Sequence, residues 1–456
     1  MEPNTEAEQK ERPRKFTKGY TFKILLLIAM LLILLIPLAM IRGLVNDRHR
    51  TAQIAEAGIM EAWGSELVAV GPMLLVPIVS TTGTATPFFM TIMPQRLDIA
   101  ADLSTEVRRR GIFSVPLFSG EISFSGTFDT ALAADSLAPA DRLLFDQAEL
   151  VIALSDQKGI RRIERARWDN GDGEDGRELF FRPGNRGLDI VRGGAFFGGP
   201  STVAGIFAAV QGFEGGEAAF DVSISMQGGR MLRFLPSGQQ TRASISSDWA
   251  SPSFQGSILP GDSRIDERGF TATWDISYLS RDIPLFWETA GQTRHNNFGG
   301  SLFGVDFFRA IDTYSLNTRA TRYAVLFLIV PFLTMFLLEV HTKKPIHPVQ
   351  YLLSGIANVV FYLLLLSFSE QMPFHFAYTI AALAVATLLT LYSRSLLPTW
   401  GKSGYMAAAV SVSYILLYAV LNAESFALLI GSVFTFALVA LVMFLTRNMN
   451  WYGSEE

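Results

Sequence analysis

Five apolar segments decide the fold: YAVLFLIVPFLTMFLLEV (323–340), VQYLLSGIANVVFYLLLLSF (349–368), FAYTIAALAVATLLTLY (376–392), GYMAAAVSVSYILLYAVL (404–421) and FALLIGSVFTFALVALVMFL (426–445). Each is long enough for a helix to cross ~30 Å of hydrocarbon. A soluble core helix rarely stays apolar on all sides over such a length. The run Tyr323–Leu445 therefore predicts a five-helix membrane bundle, and the short polar gaps predict antiparallel neighbours.

Upstream, Ile24–Ile41 is a sixth apolar segment, interrupted once by Pro37. A cleavable signal peptide has an apolar region of only ~7–15 residues and a small-x-small cleavage site. This segment is longer and is followed by Arg42-Gly43-Leu44, so it predicts an uncleaved membrane helix. Residues 1–23 are then a cytoplasmic tail rich in basic residues: Lys10, Arg12, Arg14, Lys15, Lys18 and Lys23. With the amino terminus inside, alternate short loops fall inside too. Those loops and the tail 446–456 carry Lys343, Lys344, Arg394, Lys402 and Arg447, whereas the loops Ser369–His375 and Asn422–Ser425 carry no Lys or Arg. This is the positive-inside bias, and it predicts both termini in the cytoplasm.

Residues 42–322 then lie outside, in the periplasm of a Gram-negative cell, with long loops crossing whatever their charge. From Arg42 to Arg319 there are 26 Lys/Arg against 33 Asp/Glu, a net charge of −7. The whole chain has a net charge of −4, which gives no reason to expect nucleic acid as a partner. It has no Cys, which excludes disulfides, thiolate metal sites and a cysteine nucleophile.

Alternating apolar and polar residues with Gly/Pro punctuation predict strands through this segment. Val70–Val79 opens it. Phe88–Met93 and Arg96–Leu103 read as a pair across Pro94-Gln95, and Gly111–Phe118 with Glu121–Asp129 as a hairpin across Ser119-Gly120. Leu150–Leu154, Ile160–Trp168, Glu178–Arg182, Phe220–Met226, Met231–Phe234, Thr241–Trp249, Phe270–Tyr278 and Val305–Ile311 come next, with Gly193–Gly216 read as loops. The fold class is thus α+β: six transmembrane helices, one amino-terminal and five carboxy-terminal, and a β-rich, antiparallel sandwich-like external domain.

Candidate chemistry is sparse. The acidic run Asp169–Gly176 has Gly171 and Gly173 at alternate positions where a Ca²⁺ loop needs oxygens, so it reads as a solvated hairpin loop. Arg108–Arg110 and Arg161–Arg167 read as charged strand faces, with lipid head groups or an anionic glycan as the functional alternative. Gly193-Gly194 and Gly198–Thr202 lack the Gly-Lys-Ser/Thr of a phosphate loop. No His-Glu-x-x-His or Gly-x-Ser-x-Gly occurs, and the sequence predicts no catalytic, cofactor-binding or metal site and no enzyme activity. In the bundle, Ser354, Asn358 and Tyr362 share one face, as do Ser411, Tyr414, Tyr418 and Asn422, while Glu339, Glu370 and Glu424 sit at helix ends. Interhelical hydrogen bonding accounts for such groups. A transporter would instead line a mid-membrane cavity with Asn358, Tyr362 and Tyr418.

Several stretches resemble the CreD family of bacterial inner-membrane proteins. They are His347–Leu353 continuing to Phe361–Leu366 and Ser369-Glu370, then Phe444–Asn448 with Trp451-Tyr452. Trp249, Pro252-Ser253-Phe254, Gly256 and Leu259-Pro260 match in the domain, as do Val70-Gly71-Pro72 near its start and Arg319-Ala320-Thr321 at its end. The resemblance implies an anchor, a large periplasmic domain and a membrane bundle. It also implies a role in cell envelope integrity and stress response, associated with the CreBC two-component system and with β-lactams and colicins. It implies no catalytic residue. The expected partners are the lipid bilayer and a periplasmic protein, lipid or peptidoglycan. The alternative is a transporter or lipid-handling permease.

Overall fold

The computed structural model describes residues 20–80, 88–111, 113–139, 141–171, 176–184, 204–288, 298–307, 313–342, 344–396, 400–423 and 426–447. Residues 172–175 of the acidic loop, the glycine-rich 193–202, His295, Lys343, Glu424 and both chain ends lie outside these. The chain divides into two compact units, Met1–Thr51 with Ile311–Glu456, and Ala52–Ala310. Helix α1 (Tyr20–Trp63) belongs to both. It runs well past the apolar segment that ends at Ile41, because Arg42–Trp63 holds no Pro and many good helix formers. Its charges hid it from a search for apolar runs.

In Ala52–Ala310 the described strands are, in order, β1 (Leu67–Ser80), β2 (Phe88–Ile92), β3 (Arg96–Arg110), β4 (Phe113–Asp129), then a one-turn helix α2 (Ala131–Asp135). Next are β5 (Asp141–Leu143), β6 (Glu149–Leu154), β7 (Ile160–Asp169), β8 (Arg177–Glu178), β9 (Arg182–Gly184), β10 (Ala204–Ala209), β11 (Glu217–Gly229) and β12 (Met231–Phe234). The last are β13 (Gln240–Ser247), β14 (Pro252–Gly256), β15 (Asp262–Asp266), β16 (Gly269–Ser277), β17 (Phe286–Glu288) and β18 (Phe303–Phe307). One sheet has the order β14-β18-β12-β1-β6-β10-β9, with β2, β5 and β17 alongside; the other is β15-β16-β13-β3-β4-β11-β7-β8. One core joins inward residues of both, such as Leu74, Val76 and Ile152 with Ile99, Phe124 and Ile245. This is a sandwich. Its pairings are antiparallel except β1 with β12 and β3 with β13, which are parallel.

Three local expectations change. Arg96–Leu103 does not pair with Phe88–Met93: β2 joins β1 and β17, while β3 joins β4 and β13 in the other sheet. Ser119-Gly120 is no turn, because β4 runs straight through it and pairs with β3 from Thr127 back to Phe113. Gly120 is there because a Cβ would strike the Asp102 carbonyl across the ladder. Gly193–Gly216 is not all loop, since β10 lies within it. The apolar run at Val70–Val79 has no clean alternation because β1 is covered on both faces: Leu74 and Val76 face the sandwich core, and Val68, Val70, Met73 and Leu75 pack with Val151, Phe207 and Leu302 on the other side.

The exit from α1 is locked onto the second sheet. The Arg108 guanidinium lies 3.6 Å from the centre of the Trp63 ring and that of Arg161 lies 5.1 Å from it. The Gln227 amide donates to the Trp63 carbonyl. Gly64 comes next at φ +149°, where a Cβ would sit 2.9 Å from the Gln227 carbonyl oxygen.

The other unit holds α1 up to Thr51 and the helices α3 (Thr313–Thr342), α4 (Pro348–Ser369), α5 (Phe374–Leu396), α6 (Trp400–Asn422) and α7 (Ala427–Thr446). With α1, six helices are long and apolar enough to cross a membrane. α3, α4, α5 and α6 close a ring in which each packs on its neighbours. The apolar windows of these four are 33–56% buried, against 17% for α1 and none for α7. α1 and α7 thus offer most of their surface to lipid, and Phe434 of α7 stacks on Phe327 of α3 at 5.5 Å.

Two cations pin α1 to α3. At one end the Lys23 ammonium pairs with Glu339 and donates to the Ile346 carbonyl at 3.0 Å. Glu339 also accepts from the Tyr351 hydroxyl at 2.7 Å. At the other end Arg42 Nε donates to the Thr321 carbonyl at 2.9 Å. The nineteen residue steps from Lys23 to Arg42 rise about 28 Å, the thickness of the hydrocarbon slab, and no residue between the two is charged.

Replacing Glu339→Gln strands a largely buried ammonium, and should cost about 2–4 kcal/mol in detergent unfolding. The double variant Lys23→Met/Glu339→Leu should recover at least half of that. Gly64→Ala forces a Cβ into the Gln227 carbonyl at an unfavourable φ, and should cost about 1–3 kcal/mol, read as a lowered melting temperature of the soluble unit.

Candidate functional site

The eight-stranded sheet has one face in the core and one outside. Its inward residues are apolar, and its outward residues are small and polar. Register shows this row by row. One row across the strands reads Asp262, Thr273, Ser244, Ala100, Ser123, Ser223, Arg165. The next reads Asp275, Arg242, Asp98, Ser125, Asp221, Arg167, and beyond it Ser277, Gln240, Arg96, Thr127. Short side chains on neighbouring strands leave a trough. The result is a groove of about 590 Å³ lined by Asp98, Ser123, Ser244, Asp262, Thr273 and Asp275 among others. A hollow of about 360 Å³, with Arg96, Gln239 and Tyr278, adjoins it through the shared Arg242.

Several charges on this face are neutralised locally. Arg165 pairs with Asp221 at 2.8 Å and Arg162 with Glu164 at 2.8 Å, and each partner raises its arginine above the ordinary value. Asp102 accepts from Ser246 and Asp248 from Thr105, and Glu121 accepts from Ser223. In the groove, Asp275 takes the Gln240 amide and lies 3.7 Å from Arg242. The side chains of Asp98, Asp262 and Arg96 have no hydrogen-bond or ion-pair partner among the described residues. Asp98 stands two residues from Arg96 on β3 and opposite Arg242, so acidic and basic groups alternate along the groove.

A buried arginine holds the segment that leads into β13 beside the second hollow. The Arg281 guanidinium donates to the carbonyls of Ile283, Ser237 and Gly238 at 2.9, 3.1 and 3.0 Å. Burial pulls it down to about 10, which leaves it charged at neutral pH. It thereby holds Ser237–Gly238, which leads into β13. Sequence reasoning missed this residue and the groove alike. Alternation was visible in Thr241–Trp249 and Phe270–Tyr278, but it does not say that these strands lie beside β3 and β4.

The arginine runs sit where exposed strands were expected, at the end of β3 and along β7. Two of their arginines, Arg108 and Arg161, serve the Trp63 ring. Among the described residues no three His, Asp or Glu stand close enough to hold a metal ion.

The polar groups of the bundle do not converge on one spot. Asn358 donates to the Phe327 carbonyl at 3.1 Å and accepts from the Tyr414 hydroxyl at 2.8 Å, so it ties α3, α4 and α6 together. The Tyr378 hydroxyl donates to the Tyr414 carbonyl at 2.6 Å. Tyr418 instead meets His375 at 2.7 Å, in an exposed position. Tyr362 is buried, and its hydroxyl has no partner among the described residues. Phe361 packs against Tyr362, Tyr378 and Tyr414 with ring centres 4.5–5.5 Å apart.

Comparison with known proteins agrees with the architecture. The family model described as inner membrane protein CreD matches residues 19–452. The inner membrane protein CreD of Escherichia coli (strain K12) is 27% identical over 441 residues, which cover 95% of this chain and 94% of that protein. The resemblance seen in His347–Leu353 and its companion stretches extends over nearly the full length, and the chain belongs to the CreD family of inner membrane proteins.

Proposed function

We propose that this chain is a non-catalytic protein of the bacterial inner membrane that supports envelope integrity and the response to envelope stress, and that its sheet domain works by binding. Both termini lie in the cytoplasm and the sheet domain in the periplasm. The orientation rests on Lys344, Arg394 and Arg447 on one side, against the uncharged-to-acidic loops Ser369–His375 and Asn422–Ser425 on the other. The binding role rests on one observation: an open groove of about 590 Å³ on the outward face of the eight-stranded sheet, lined by Asp98 and Asp262, neither of which has an ion-pair partner among the described residues. The alternative of a transporter or lipid-handling permease draws on the unpartnered Tyr362 hydroxyl. It is the weaker reading because both ends of the Asn358 amide are already used within the bundle.

The native chain has no Cys, so single cysteines report without background. In spheroplasts, an impermeant maleimide should label Gln371→Cys at once, and Lys344→Cys only after permeabilisation; the opposite pattern contradicts the orientation. A photo-crosslinking side chain at Ser125 or Thr273 in the full-length protein should form adducts in cells. The same group at Glu164, on the ion-paired part of the sheet, should not. Equal labelling at all three positions removes the groove as the site.

A further inference from the structure

At the Arg42 end of the bundle the helical unit gathers its cations on two helices. The described basic residues there are Arg42, Arg48 and Arg50 on α1 and Arg319 and Arg322 on α3. The loops at that end, Ser369–His375 and Asn422–Ser425, hold no Lys or Arg. The described acids there are Asp47 and Glu370. Glu370 lies 3.6 Å from Arg48. Asp47 stands about 140° round α1 from Arg42. Arg319 turns to α6 and donates to the Val420 carbonyl at 3.5 Å. Arg42 and Arg322 are left as neighbours.

Neither of the two meets a carboxylate among the described residues. Arg42 donates from Nε to the Thr321 carbonyl at 2.9 Å and from Nη2 to the Arg322 carbonyl at 3.5 Å, so both cations are rooted at one spot on the seam of α1 and α3. A carbonyl satisfies an N–H but carries no charge to offset a guanidinium. The Arg322 side chain is exposed and has no partner among the described residues. Antiparallel packing fixes the depth. Arg42 meets Thr321, and seven residues further along α1 and seven back along α3, His49 stacks on Tyr314 with ring centres 5.9 Å apart. Arg42 and Arg322 are therefore level, at the end of the hydrocarbon slab. The head-group layer beyond is about 5–7 Å thick, within reach of both side chains. Lipid phosphates lie in that layer, and a guanidinium fork takes phosphate bidentately. Two cations without a counter-charge repel, and one anion between them relieves both.

We propose that Arg42 and Arg322 hold a phosphate ester between them, supplied by an anionic phospholipid, one whose head group has no cation. A choline head group would bring its own cation against the two guanidinium groups. The proposed placement of this end in the periplasm decides only which leaflet supplies the lipid.

The test is native mass spectrometry of the purified full-length protein in detergent, titrated with phosphatidylglycerol and with phosphatidylcholine. The tightest site should prefer phosphatidylglycerol about tenfold. Arg322→Gln should lower that affinity about fivefold, and Arg42→Gln/Arg322→Gln about twenty-five-fold. The Arg322 side chain holds no other described residue, so its single variant should melt at the native temperature and carries the test if the double variant is unstable. Lys344→Gln, at the opposite end of the bundle, should leave the site unchanged. Equal affinity for the two lipids overturns the proposal. So does an Arg322→Gln variant that binds phosphatidylglycerol like the native protein, or a Lys344→Gln variant that loses as much. Excess glycerol phosphate separates the sources: a lipid that stays bound supports the phospholipid, and full displacement overturns it in favour of a soluble phosphate ester. If the maleimide pattern reverses while these results hold, the site stands in the other leaflet; if the pattern holds and these fail, the site alone falls.

Discussion

Everything in this chain answers to a solvent constraint: a hydrocarbon slab ~30 Å thick tolerates no unpaired charge and no unsatisfied backbone. Six helices meet the backbone requirement. The charge requirement is met by placement, with Lys23 and Arg42 at the two ends of an uncharged stretch of α1, each fixed to α3. Glu339 is acceptable at the Lys23 end because Lys23 and the Tyr351 hydroxyl meet its carboxylate. Of the polar groups that remain deeper, Asn358 is matched to Tyr414 and Phe327 and Tyr378 to Tyr414, while the Tyr362 hydroxyl has no partner among the described residues. With no hydrophobic drive between helices inside lipid, such hydrogen bonds and the ring stacking around Phe361 hold the bundle.

The sheet unit obeys the opposite solvent. Water requires it to hide apolar surface, and it does so twice, between its two sheets and again behind β1 and β6. What is left outside on the second sheet is a hydroxyl-rich surface on which some charges are paired, as Arg165 is with Asp221 and Arg162 with Glu164, and others, such as Arg167 and the groove's Asp98, meet water.

Much of the architecture was legible in the sequence, because length and apolar content are local properties. The five segments from Tyr323 to Leu445 and the first at Ile24–Ile41 need no knowledge of neighbours, and neither does alternation in Thr241–Trp249. Pairing is not local. Gly120 looks like a turn until β3 is seen crossing beside it, and Arg96–Leu103 looks like the partner of Phe88–Met93 until the two prove to serve different sheets. β10 was hidden by its glycine-rich surroundings, and the outer half of α1 by its charges. The groove was illegible for the same reason as the pairings. Asp98, Arg242, Asp262 and Asp275 come from four strands, and only register brings them together.

The central claim is that the slab ends at Lys23 on one side and at Arg42 on the other. A nitroxide scan along α1 in liposomes tests it directly, by comparing collisions with oxygen and with a water-soluble nickel chelate. The account predicts oxygen-dominated accessibility from Leu25 to Ile41, greatest near Leu32 and Ile33, with a switch to the aqueous reagent from Gly43 onward although the helix continues. Oxygen-dominated readings through Leu44–Arg50, or aqueous readings at Leu32, would contradict it.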